Sequence, residues 1–341
     1  MILETIDLYR YFGSERGEKK GGYLHSYRHG QMEELGVKKV RPALLVIPGG
    51  GYAFLSQREG EPIALRFFAE GFDTFVLDYD LAPQFHYPTQ LEQAAMAMVY
   101  LRREAGRLDI DPAHVGAIGF SAGGHLCGCI TLLWDDPAVR ALFGDDCGMV
   151  RPDASVLSYA VVTAGKYRHD GSIRNFCADK VPPEAYSLEK RAREDAPPVF
   201  LWATTADDCV PVENSVMLYS ALHEKGVPAE LHVFAEGWHG LSTCDEEVNA
   251  APPSEKFFPH VRHWMELAAE FFRARGFGLK KVKKTTKEGP ENRPLRSFTR
   301  KARRRRKRSP RSRTARAVFP AACAALRPRA ARKRRARATR A

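Results

Sequence analysis

The segment Val115-Gly116-Ala117-Ile118-Gly119-Phe120 constrains the fold more than any other. It is an apolar run that passes without a spacer into Ser121-Ala122-Gly123-Gly124-His125-Leu126, which reads as a helix start. A continuous apolar run is what a strand covered on both faces requires, and such strands belong to parallel sheets. Ala43-Leu44-Leu45-Val46-Ile47 has the same character, bounded by Pro42 and Pro48-Gly49-Gly50-Gly51. Thr74–Tyr79 reads as another strand, with more at Ser155–Val162, Val199–Thr204 and Glu230–Ala235. Helical spacing falls between them, over 61–70, after Thr89 (which with Glu92 makes a capping box), over 212–225 and over 259–275. Strands spaced by helices predict an α/β protein with a mostly parallel central sheet flanked by helices. Residues 164–195 lack a clear period and read as a loop or a small cap over a site.

Charge divides the chain. Residues 280–341 hold 26 Lys and Arg against two acids, Glu288 and Glu291, whereas residues 1–279 hold 27 basic and 39 acidic residues. The net charge of +12 thus belongs to the tail, and the body is acidic. Only six of the 62 tail residues are Leu, Ile, Val or Phe, too few to offset chain entropy by burial. The expectation is a catalytic body over 1–279 and a disordered, low-complexity basic tail over 280–341. Runs such as Arg303–Arg308 suit non-specific nucleic-acid binding through counterion release. The plainer expectation for the tail is a solvated appendage. No apolar run is long enough for a membrane-spanning helix, and nothing near Met1 reads as a secretory leader. Seven cysteines with no CxxC pair suit reduced thiols in a cytoplasmic protein.

Gly119-Phe120-Ser121-Ala122-Gly123 has the G-x-S-x-G form of a sharp strand-to-helix turn that holds a serine hydroxyl above the sheet edge. A serine nucleophile needs a base, and the base needs an orienting acid. Ala206-Asp207-Asp208-Cys209-Val210-Pro211 follows one predicted strand, and Glu236-Gly237-Trp238-His239-Gly240 follows the next. Ser121, an aspartate and His239 therefore run in the chain order serine, acid, histidine. Neighbours on an extended chain point opposite ways, so only one of Asp207 and Asp208 reaches His239. An acyl-transfer site must also stabilise an oxyanion, and the N–H groups of Gly50, Gly51 and Ala122 suit that purpose. Nucleotide binding has little support, since Gly49-Gly50-Gly51 is neither G-x-G-x-x-G nor a P-loop. Cys127 and Cys129 read as small packing residues, and no cluster has metal-ligand spacing. No metal or cofactor is expected.

Together, Pro48-Gly49-Gly50-Gly51-Tyr52, Asp78-Tyr79-Asp80-Leu81-Ala82-Pro83, Ile110-Asp111-Pro112, Gly119–His125, Asp207-Asp208-Cys209-Val210-Pro211 and Gly237-Trp238-His239-Gly240 resemble the α/β-hydrolase superfamily. Within it, the chain resembles the acetyl esterase and acetylxylan-esterase-like carboxylesterases from about residue 40 to 275. The resemblance implies an α/β-hydrolase fold and a serine esterase acting on short acyl esters, acetyl esters on sugars included. It implies Asp207, the first Asp of D-x-x-V-P, as the acid. Tyr52 and Trp238, bulky and beside the expected site, are the expected substrate contacts. Many relatives carry histidine where Pro48 stands, and the tail has no counterpart. A peptidase of the prolyl-oligopeptidase type shares the chain order but usually carries a propeller domain, for which there is no room here.

Overall fold

A computed structural model describes residues 1–249 and 258–283. Among the described residues nine strands form one sheet: β1 (Ile2–Asp7), β2 (Tyr23–Arg28), β3 (Val37–Ile47), β4 (Asp73–Asp78), β5 (Ile110–Phe120), β6 (Ser155–Ser158), β7 (Val199–Thr204), β8 (Ala229–Phe234) and β9 (Lys280–Lys283). The spatial order is β1-β2-β4-β3-β5-β6-β7-β8. From β4 to β8 all neighbours are parallel, while β1 and β2 add an antiparallel edge.

Alternating residues of the central strands feed two apolar layers. Ala43, Leu45, Ile47, Ala117 and Leu157 pack with the helices Thr89–Arg103 and Ser121–Leu132. Leu44, Val46, Ile118, Phe120 and Trp202 face the helices Glu61–Ala69 and Trp264–Ala274. Covered on both faces, these strands are apolar throughout, as a parallel sheet demands. The chain runs from β3 outward to β4, then crosses back to β5 on the other side of β3. Strand order reverses there, and a crevice opens at the carboxyl ends of β3 and β5. Ile47 stands opposite Gly119 in the register, so the glycine loop and the serine turn leave the sheet side by side.

Several elements differ from expectation. Pro88, not Thr89, is the helix cap: its carbonyl accepts from Glu92 N at 2.9 Å, and no side-chain cap bond forms. β6 stops at Ser158 because Tyr159 turns to φ 35°. The last helix is two, Pro259–Arg262 and Trp264–Ala274, meeting at His263. Residues 164–195 contain a helix, Asp170–Cys177, and two short 3₁₀ turns. Four residues assigned to the tail by composition, Lys280–Lys283, form β9 antiparallel to Val37–Val40, so the paired body runs past 279. The remainder of the expected tail, with Arg303–Arg308, lies outside the described residues. No helix among the described residues is long and apolar enough to cross a membrane.

The layer that holds the last helix depends on Trp264. It is fully buried and stacked on Trp202 with centroids 4.8 Å apart. Trp264→Ala is expected to lower the unfolding free energy by about 3–5 kcal/mol in a denaturant titration. A loss below about 1 kcal/mol would contradict this packing account.

Candidate active site

Ser121 closes β5 and opens the next helix with φ 53°, a left-handed conformation that a serine adopts only under constraint from its surroundings. The constraint is close packing: a Cβ on Gly123 would lie 2.3 Å from the carbonyl oxygens of both Ile47 and Pro48. The helix axis therefore passes directly over the end of β3. The first N–H groups of a helix have no partner within it, and Ala122 carries one of them.

The structure brings three distant side chains together. Ser121 Oγ lies 2.8 Å from His239 Nε2, and His239 Nδ1 lies 2.8 Å from Asp207 Oδ2. With a carboxylate as its partner Nδ1 bears the proton, so Nε2 accepts from the serine hydroxyl. Asp207 is held in turn, since its Oδ1 accepts from Cys209 N at 2.9 Å and Val210 N at 2.8 Å. Asp208 is exposed and comes no nearer than 3.5 Å, to the backbone N of His239. In such an arrangement the imidazole can take a proton from the hydroxyl while the carboxylate steadies the charge.

Above Ser121 lies a cleft of about 310 Å³, walled by Gly50, Gly51, Phe54, His169, Asn175 and His239. Among the described residues no acceptor takes the N–H of Gly50 or of Gly51. The loop itself is fixed by Gly50 O, which accepts from Ala53 N at 3.0 Å, and by Gly51 O, which accepts from Asn175 Nδ2 at 2.8 Å.

Two expected substrate contacts lie elsewhere. Tyr52 has φ 59°, which turns its ring into the core; its hydroxyl meets His125 Nδ1 at 2.8 Å. Trp238 points away from the cleft and packs edge-on against Phe258, centroids 5.0 Å apart. Its neighbour His239 faces inward, and adjacent residues of an extended chain diverge. His125 is fully buried and donates through Nε2 to Tyr186 O at 2.9 Å, so it is a packing residue. Cys127 is buried too, and burial pushes its thiol up to about 12. No group of three His, Cys, Asp or Glu among the described residues could hold a metal ion.

The sequence reading missed Glu59 and Tyr159. Glu59 is buried; its Oε2 accepts from Gly49 N at 2.9 Å and its Oε1 from Tyr159 OH at 2.7 Å. The Tyr159 ring packs edge-on against His239, centroids 5.1 Å apart, and burial, then Glu59, holds its phenol well above the usual range. It also missed His169 and Asn175, which sit in the segment without a period. Neither pair carries a local pattern. Only their spatial partners reveal them.

The chain is similar to several known proteins. Residues 33–162 match the BD-FAE family model. Endo-1,4-beta-xylanase B of Butyrivibrio fibrisolvens is 38% identical over 214 residues, 61% of this chain and 33% of that protein. An acetylxylan esterase of Xylanibacter ruminicola is 30% identical over 208 residues, 58% of this chain and 41% of the relative. The chain thus spans well under half the length of these curated relatives. The crystal structure of an acetyl ester-xyloside bifunctional hydrolase from Caldicellulosiruptor lactoaceticus superposes with TM-score 0.64 at 33% identity, covering 75% of this chain and 88% of that one.

Burial lowers the His125 pKa to about 4. At pH 7 the ring is neutral folded and unfolded, so it carries no pH dependence there. Between about pH 6.5 and 4 only the unfolded chain takes up the proton, and stability falls by up to about 1.4 kcal/mol per pH unit. His125→Gln should remove this contribution. Equal pH slopes for both proteins in chemical unfolding over that window would refute it.

Proposed function

Because the chain belongs to the BD-FAE family of α/β-hydrolases, we propose that it is a serine esterase that cleaves short-chain carboxylic esters, above all acetyl esters, including those on carbohydrates. The observation that carries this reading is the pair of 2.8 Å contacts joining Ser121, His239 and Asp207 at the floor of an open cleft.

Ser121 Oγ attacks the ester carbonyl carbon as its proton passes to His239 Nε2. Asp207 keeps the imidazole in the accepting tautomer and stabilises the imidazolium. The carbonyl oxygen, now negative, is held by the N–H groups of Gly50, Gly51 and Ala122. Losing one such donor typically costs about 10²–10³ in rate. The intermediate collapses, the C–O bond to the alcohol breaks, and the departing oxygen takes the proton from His239. A water then gives its proton to His239 and attacks the acyl-serine, releasing the acid and restoring Ser121. The chain's own groups suffice for every step. A preference for small acyl groups is supported by the modest cleft and by the acetyl-ester chemistry in the names of the relatives. The six cysteines among the described residues are all unpaired, five of them buried, which suits a reducing compartment such as the cytoplasm.

Ser121→Ala is expected to cut kcat on nitrophenyl acetate by roughly 10³-fold or more, and Asp207→Asn by about 10⁴-fold. Asp208→Asn should stay within about threefold of wild type, as suits a solvated acid. If the two aspartate variants lose activity alike, the assignment of the acid is wrong. Across a nitrophenyl ester series the acetyl ester should turn over fastest; faster turnover of the C8 ester would overturn the short-acyl reading.

A further inference from the structure

The cleft holds a second imidazole that this chemistry leaves unused. His169 caps the helix Asp170–Cys177 and forms part of the cleft wall. Its Nδ1 accepts from the backbone N–H of Ser172 at 3.2 Å and lies 2.8 Å from Ser172 Oγ. A ring nitrogen that accepts from a backbone N–H carries no hydrogen of its own, so the neutral ring bears it on Nε2. The ring stays neutral at pH 7, because burial, and then charge on the nearby His239, pull its pKa below the ordinary value. Nε2 has no protein partner among the described residues, yet it is not sealed from solvent. Its N–H is free to donate, on a residue that lines the cleft.

His169 and His239 line the same cleft of about 310 Å³, so this donor sits beside the reacting ester. An ester bound at Ser121 must place its leaving oxygen beside His239 Nε2, since that nitrogen returns the proton. A donor on the wall of so small a cleft is therefore within reach of the alcohol half. Resting on the esterase reading, we infer that His169 Nε2 donates a hydrogen bond to a free hydroxyl next to the ester oxygen. His169 thus makes the enzyme selective for monoesters of vicinal diols and polyols.

The rim of the cleft fits such an alcohol. Phe54 is 60% exposed there and offers an apolar face to the C–H side of a polyol ring. The Arg58 guanidinium, also on the rim, has no carboxylate partner among the described residues and can donate to further hydroxyls. An analogue lacking the matching oxygen forfeits this hydrogen bond and must hold an ordered water in its place.

The test compares kcat/KM for a methyl xyloside monoacetate whose adjacent hydroxyl is free with that for its deoxy analogue, in wild type and His169→Asn. Asparagine can still accept from Ser172 N–H as a helix cap, but it is too short to carry a donor to the position of Nε2. Wild type should favour the hydroxylated ester by about tenfold, and the variant by no more than about twofold, whatever loss both esters share. An unchanged preference in the variant overturns the role of His169. A wild type without preference overturns the inference with no variant needed. Wild type that cleaves nitrophenyl acetate but neither sugar ester overturns the inference and leaves the esterase reading standing. Wild type no faster than Ser121→Ala on all three esters sinks both.

Discussion

Two parallel strand ends meeting with no side chain between them is the constraint on which this structure depends. β3 and β5 reach the carboxyl edge of the sheet together, Ile47 opposite Gly119. One then enters the glycine loop and the other a helix. A Cβ on Gly49 would lie 2.6 Å from Phe120 O and 2.9 Å from Ser121 Cβ, so the loop backbone passes directly over the serine. Unpaired backbone N–H groups and the serine hydroxyl thereby share one small space. The left-handed backbone of Ser121 costs on the order of 1–3 kcal/mol. Burial of the whole helix Ser121–Leu132, every residue of it inside, offsets that strain.

The second requirement is that the loop and the imidazole hold still relative to one another. A single buried carboxylate ties them. Glu59 accepts from Gly49 N–H and from the Tyr159 hydroxyl, which itself accepts from Ser242 N at 3.1 Å. Tyr159 lies between Glu59 and His239, touching both. A buried carboxylate is tolerable only when its oxygens are hydrogen-bonded, so the partners here cannot drift apart cheaply. The glycine loop, the end of β6 and the segment after His239 are thus parts of one polar network. Such a network is costly to satisfy only in part.

Much of this was legible in the sequence because the chemistry sits at strand ends. The central strands announce themselves as unbroken apolar runs, and Ser121 and Asp207 each follow one, whereas His239 follows the edge strand β8, which Glu230 and His232 interrupt. The edge strands β1 and β2 do not, since half of each faces water and their residues are mixed. β9 is Lys-Lys-Val-Lys, indistinguishable by composition from the basic tail. Tyr52 and Trp238 show why adjacency in sequence misleads: each is next to a residue of the cleft, yet one ring turns into the core and the other outward. Glu59 and Tyr159 are 100 residues apart and joined only through space. No local pattern encodes such a pair.

The segment 164–195 shows how the wall of the cleft bears on its floor. Its helix is held by backbone contacts, Tyr87 N to Phe176 O at 2.8 Å and His86 Nδ1 to Asn175 O at 2.7 Å. From that held position Asn175 reaches across to the carbonyl of Gly51. The peptide plane that this carbonyl shares with Tyr52 N–H is fixed as a result, and with it the direction in which the glycine loop presents its own N–H groups. The same short helix presents the His169 imidazole at its N-terminus and anchors the loop nearly two turns later. Under the proposed mechanism, a change that moves the helix to suit a different alcohol must also tilt the N–H groups of the glycine loop. In that mechanism one side-chain amide couples alcohol recognition to rate, and the preorganisation that electrostatic stabilisation requires is set from the segment 164–195 as much as from the sheet.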